Sequence, residues 1–374
     1  MTFSKRSEVE PFHAMDVLAA ANRLAGEGHP VISLAVGQPS APAPKAVREA
    51  AANALLHDRI GYTDAAGRSD LRERIARHYG EHYGVDVAPS RVIVTTGSSA
   101  GFALAFLSMF DPGDRVAIER PGYPAYRNIM RALGLEVVEL ERLDAETLAT
   151  AHTAEPIAGL LIASPANPTG TVVGAERMTA LAEAARERGI RFISDEIYHR
   201  LTYGLEDRTV LSHTDEAVVI NSFSKYYCMT GWRIGWMVVP EALVRPIERL
   251  AQSLYISAPE ASQIGALHAF EPTGELNSVR DGYAQNRELM TRTLPELGFE
   301  IASRPDGAFY AWCDVSGLTN DSMAFSRKML EDTHVAVTPG HDFDPENGHR
   351  FMRFSYAGAH DDLREALERL RSWL

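Results

Sequence analysis

The chain has 374 residues, 45% of them hydrophobic, enough to bury large cores and to suggest two or three domains. Its 50 acidic residues against 37 basic ones give a net charge of −13, which argues against a nucleic-acid partner. With two cysteines (Cys228 and Cys313), no apolar signal-peptide core in Met1 to Glu10 and no run of roughly 18 apolar residues for a membrane span, the cytoplasm is the expected location.

An N-terminal arm opens the chain. Pro11-Phe12 precedes an amphipathic helix with Met15, Leu18 and Leu24 among its apolar positions, and Gly28-His29-Pro30 stops it. Val31 to Leu34 reads as a short strand and Val36 to Pro39 as a turn. From about residue 45 to 275 strands alternate with helices. Strands are expected at 91–96, 115–119, 158–163, 190–195 and 217–221, with helices at 100–109, 126–133 and 178–188. Such alternation implies crossover connections and a mostly parallel sheet flanked by helices, an α/β fold. Between Asn221 and the next strand, Ile234 to Val239, there is no room for a crossover helix, so that strand is expected to run antiparallel and make the sheet mixed.

Past Phe270 the pattern changes. A helix from about Ser278 ends at Gly298, short strands follow at 300–302, 309–312, 335–337 and 351–354, and helices fall near 323–331 and 361–373. The expected organisation is an arm and part of a small domain (1–44), a large domain (45–275) and a smaller α+β domain (276–374).

The most informative string is Asn221-Ser-Phe-Ser-Lys-Tyr-Tyr-Cys-Met-Thr-Gly-Trp-Arg-Ile-Gly-Trp236. Lys225 follows a buried apolar strand, where an ammonium is costly and a free amine is suited to forming an imine with an aldehyde. Arg233 offers a planar fork for a phosphate, with the hydroxyls of Ser222 and Ser224 nearby. Amine, hydroxyls and guanidinium together suit pyridoxal 5'-phosphate. Thr96-Gly-Ser-Ser-Ala100 joins a strand to a helix and offers free amides to an anion. Asp195, in Ile193-Ser-Asp-Glu-Ile-Tyr198, closes an apolar strand, where a carboxylate requires a cationic partner such as a protonated pyridine nitrogen. His78 and His82 have zinc-ligand spacing, but no third ligand is identifiable and Gly80 interrupts the helix, so a solvated helix end and no metal are expected.

These strings, in this order, resemble the class I/II aminotransferases, the aspartate aminotransferase-like enzymes of fold type I. The resemblance spans Gly37 to Arg353 and implies a homodimeric enzyme that moves an amino group from an amino acid to a 2-oxo acid. It makes Lys225 the imine-forming lysine and proton carrier, Arg233 a phosphate ligand, and Ser98 and Ser99 further phosphate contacts. It puts Tyr123 over the pyridine ring and gives Asn167 and Tyr198 to the cofactor's 3'-oxygen. Arg353 would grip the substrate α-carboxylate, with the Gly37 backbone closing over it, and Tyr62 would reach the phosphate in the neighbouring subunit. A pyridoxal phosphate carbon–sulfur β-lyase of the same fold is the alternative. A regulator fused to a DNA-binding domain fits poorly with an acidic chain lacking a winged-helix segment. Dicarboxylate-specific relatives place an arginine near the loop that here reads Gln252 to Glu260; none occurs there, which puts strict aspartate specificity in doubt.

Overall fold

The computed structural model describes residues 3–374. The helices are α1 (His13–Gly26), α2 (Lys45–His57), α3 (Ser69–Tyr83), α4 (Gly97–Met109), α5 (Pro124–Leu133), α6 (Ala145–Ala154), α7 (Ala175–Glu187), α8 (Glu241–Leu254), α9 (Glu260–Leu267), α10 (Thr273–Glu296), α11 (Ser322–Thr333) and α12 (His360–Trp373). The strands are β1 (Ile32–Ser33), β2 (Val92–Thr95), β3 (Arg115–Glu119), β4 (Glu136–Leu140), β5 (Gly159–Ala163), β6 (Arg191–Asp195), β7 (Val218–Ser222), β8 (Gly235–Val238), β9 (Glu300–Ile301), β10 (Tyr310–Asp314), β11 (Val335–Ala336), β12 (Thr338–Pro339) and β13 (Phe351–Ser355).

A seven-stranded sheet in the order β2-β8-β7-β6-β5-β3-β4 forms the centre. Both its faces are covered, so its inner strands read as continuous apolar runs rather than alternating ones. Val92, Val94 and Val219 pack with Leu71, Ile75 and Leu181 of α3 and α7. Ile93, Val218 and Ile220 point the other way, onto Phe102, Met130 and Ile247 of α4, α5 and α8. β8 runs antiparallel to both β2 and β7, as the short connection requires. The rest of the sheet is parallel.

The C-terminal segment folds as an antiparallel sheet, β12-β13-β10-β9. The arm joins it through β1, which is shorter than expected and pairs parallel with β11.

Several expectations need correction. β4 and α6 were not foreseen: β4 is an edge strand bonded only to β3, its Glu-Val-Val-Glu-Leu half-exposed, so it carries no buried run. α3 is not interrupted at Gly80 and continues to Tyr83, where Gly84 at φ +69° caps it. Nor is His78 solvated. It is buried, its ring stacked on His82, and burial pushes its pKa far down.

Candidate active site

The parallel strands end along one edge of the sheet, and that edge is where an open α/β sheet presents its ligand site. β2, β3, β5, β6 and β7 deliver Ser98, Tyr123, Asn167, Asp195 and Lys225 there in turn. A cleft of ≈ 460 Å³ runs between this edge, the arm and the C-terminal sheet.

At one end the groups form a cationic pocket. Phe223 is fully buried against Trp236, Tyr227 and Phe270, which fixes the turn after β7 and projects Lys225 into the cleft. Lys225 Nζ donates to Gly37 O at 2.7 Å. Burial, aided by Arg353, pulls its pKa down to about 7, which favours the unprotonated, nucleophilic amine. Arg233 also lines the cleft and takes a left-handed backbone (φ 51°, ψ 53°), a conformation costing a non-glycine residue roughly 1–2 kcal/mol. That strain is kept where the guanidinium meets the start of α4: a Cβ on Gly97 would stand 2.6 Å from Arg233 Nη2. The first turn of α4 has no side-chain cap, so its amides remain open to an anion. Gly235, opposite both Thr95 and Ser222, lets that turn pass, since a Cβ there would lie 3.1 Å from Ser98 N. Ser98, Ser99, Ser224 and Thr230 complete the wall. Ser222 stands just behind this wall, its buried hydroxyl 2.9 Å from Ser224 Oγ.

In the middle of the cleft Asp195 closes β6, fully buried. Its Oδ1 accepts from Ile197 N at 3.0 Å and its Oδ2 from Tyr126 Oη. Burial raises its pKa to about 6 despite these donors. Tyr126 and Ile197 line the cleft, so the carboxylate lies just behind its floor. Tyr123 stands edge-on to Tyr126 and Phe12, and burial pushes its hydroxyl up to about 12. Tyr198 Oη is 2.7 Å from Tyr310 Oη.

At the other end Arg353 projects from β13, opposite Trp312 and Thr338. It is 4% exposed, sandwiched between the rings of Tyr310 and Phe343 at 4.3 and 4.7 Å. Its Nη1 donates to Asn167 Oδ1 at 2.9 Å and its Nη2 to Ala35 O at 2.6 Å, while Nε has no partner. Among the described residues no carboxylate pairs with Arg353, Lys225 or Arg233. A buried guanidinium without a counter-charge is expensive, and a ligand carboxylate would supply one. Gly37 sits against this end; a Cβ there would stand 1.8 Å from Tyr310 Oη.

Most of the expected residues therefore meet in one place. Tyr62 does not: it is 82% exposed and outside its own chain's cleft. Tyr126, Tyr310, Phe12, Met15 and Phe343 line the cleft without having been foreseen. Tyr126 ended a quoted motif, but its helical position gave no hint of a bond to Asp195. The others lie in segments distant from any motif.

An imine-forming amine of low pKa, an arginine without a carboxylate partner beside an uncapped helix start, and a buried acid behind the cleft floor fit a phosphorylated pyridine aldehyde. The class defined by this fold and site is the pyridoxal 5'-phosphate enzymes of fold type I. The chain belongs to the aminotransferase class I and II family, whose model matches residues 29–370. It is 48% identical to a valine–pyruvate aminotransferase of Mycobacterium tuberculosis over 99% of this chain and 97% of that one. It is 36% identical to a (5-formylfuran-3-yl)methyl phosphate transaminase of Methanocaldococcus jannaschii, over 98% and 97%. The crystal structure of an aminotransferase from Mycobacterium tuberculosis superposes with a TM-score of 0.96 at 46% identity, covering 100% and 99% of the two chains. The protein is thus a pyridoxal phosphate-dependent aminotransferase. Its relatives' names favour that over the β-lyase alternative. Among the described residues no helix is long and apolar enough to cross a membrane.

Proposed function

We propose that this aminotransferase takes a neutral, apolar α-amino acid as donor and a small 2-oxo acid such as pyruvate as acceptor, in the cytoplasm. The observation that carries this reading is the composition of the cleft. Among the described residues, Lys225, Arg233 and Arg353 are the only cationic ones that line it. The first is needed as the amine, the second faces the phosphate end, and the third would grip the α-carboxylate. Among the described residues no further arginine lines the cleft of one chain for a second carboxylate, whereas Phe12, Met15 and Phe343 offer apolar surface. The 48% identical relative named for valine and pyruvate is consistent with this.

When bound, pyridoxal phosphate supplies an electrophilic carbon and an electron-withdrawing ring. The chain's own residues do the rest. Arg233, the α4 amides, Ser98, Ser99, Ser224 and Thr230 would hold the phosphate, with Tyr123 against the ring. Asp195, ionised and fixed by Tyr126 and Ile197 N, would keep the ring nitrogen protonated. Tyr198 and Asn167 would donate to the 3'-oxygen, and Lys225 Nζ would carry the proton between substrate and cofactor carbons. Arg353 orients the substrate through its carboxylate. We place the cofactor domain at residues 45–275, with 1–44 and 276–374 as the second unit. The large sheet falling within residues 92–238 and the small one within 300–355 support this division.

A screen of donors against pyruvate and 2-oxoglutarate tests the substrate reading; preference for aspartate over valine would overturn it. We further propose that the enzyme is a homodimer in which Tyr62 enters the partner's site. Its exposure, with that of Leu55, Leu56, Leu254 and Ile256, supports this, since such apolar surface marks a contact. Mixing Tyr62→Ala and Lys225→Ala chains should restore activity through one intact site per heterodimer. No recovery in proven heterodimers would place Tyr62 elsewhere.

A further inference from the structure

The arm that forms the apolar side of the cleft is weakly held by its own packing. Of α1, only Ala21 is buried, and the partly buried Val17, Ala20 and Leu24 pack against Leu330 and Ala336 towards its middle and far end. Its first turn is adjacent to Phe12 and contains Ala14 and Met15, all three lining the cleft. Phe12, the residue before the helix, provides no side-chain cap. Instead Asp342, 329 residues away in sequence, reaches both leading amides: Oδ1 accepts from His13 N at 2.8 Å and Oδ2 from Ala14 N at 2.7 Å.

Asp342 is itself 3% exposed and firmly placed. Its carbonyl accepts from Arg127 Nη2 at 2.6 Å. The next residue, Phe343, lies over Arg353, and its carbonyl accepts from Gly122 N at 3.0 Å, in the turn that carries Tyr123. One buried carboxylate thereby joins the arm to the loop that carries Phe343 and, through it, to the turn that carries Tyr123.

We propose that Asp342 is a positioning residue for donor specificity, fixing the first turn of α1 so that Phe12 and Met15 form the wall against which an apolar donor side chain packs. The proposal rests on the apolar-donor reading above. It predicts that loosening the turn harms donors whose side chains reach the wall and spares those too short to reach it. A carboxylate that merely stabilised the fold would affect all donors alike.

The test uses the cofactor-loaded enzyme in the half-reaction with donor alone, comparing L-valine with L-alanine by the cofactor's absorbance. Asp342→Asn keeps the shape but turns an amide NH₂ towards a backbone N–H. It should raise the half-saturating valine concentration about fivefold or more, change the maximal rate less than about twofold, and leave alanine within about twofold. Met15→Ala, at an exposed side chain whose loss should not disturb folding, should lower the same valine-to-alanine preference. In the protein without cofactor, hydrogen exchange at the His13 and Ala14 amides should accelerate about fivefold or more in Asp342→Asn. A wild-type valine-to-alanine ratio in Asp342→Asn, or in Met15→Ala should the former not fold, overturns the proposal. A wild-type enzyme with no preference for valine over alanine overturns it too, since there is then no wall effect to lose; a preference for aspartate over valine overturns the substrate reading instead, and unchanged exchange at His13 and Ala14 removes the anchoring role.

Discussion

The cofactor end of the cleft and its substrate end differ in how their parts reach the site. At the cofactor end each residue follows a strand of one sheet, so backbone pairing places Ser98, Tyr123, Asp195 and Lys225 directly. At the substrate end Phe12, Gly37, Tyr310, Phe343 and Arg353 come from the arm and from the C-terminal segment, held by side-chain contacts across more than 300 residues of sequence. The first is rigid by topology and chemically demanding. The second can vary in its apolar walls while its arginine stays fixed, and a family can change donors there without rebuilding the catalytic groups.

Substitutions at the two ends should therefore differ in kind. Lys225→Ala should reduce turnover by orders of magnitude while the chain still folds, since among the described residues no other amine side chain lines the cleft. An imine absorbance band persisting in that variant would refute the assignment. Wild-type capture of pyridoxal phosphate should quicken as pH rises through about 7 and level off above it, because only the unprotonated amine reacts. The same depression has a stability sign. The folded pKa of about 7 lies below the usual 10.5, so the penalty is fully present below pH 7 and relieved as pH rises towards 10.5. Lys225→Met without cofactor should melt higher than wild type at pH 7, the gap closing by pH 10.

Asp195→Asn should lower kcat by roughly a hundredfold or more, through loss of the ring's counter-charge. A near-normal kcat would make Asp195 structural only. Arg353→Ala should act on binding instead, raising KM for every donor by roughly ten- to a hundredfold, the value of a charge-assisted bidentate contact. Unchanged KM across donors would remove the arginine from substrate recognition. The smallest change expected is for Tyr126→Phe, a few-fold in kcat. Loss of its hydroxyl leaves Asp195 with one fewer donor to its charged form, so the carboxyl should hold its proton to higher pH. The acid limb of the pH–rate profile should move upward; an unmoved limb would show that Tyr126 does not tune Asp195.

The sequence by itself determined six of the seven strands of the mixed sheet, including the reversal of β8, because apolar runs and loop lengths are local quantities; the half-exposed edge strand β4 carries no such run. It also foresaw most of the residues that meet at the proposed cofactor end, because motif residues that end adjacent parallel strands are brought together by the sheet itself. Only the tertiary structure decided which hydroxyl faces the cleft. Ser222 and Ser224 are two residues apart and chemically alike, and the turn buried under Phe223 sets Ser224 outward. Tertiary structure also decided the partners of the buried polar groups: Tyr126 for Asp195, Tyr310 for Tyr198, Asp342 for the start of α1. Those pairings join separate elements, and nothing in the spacing along the chain encodes them. They exist because a buried polar group must find a partner wherever packing brings one.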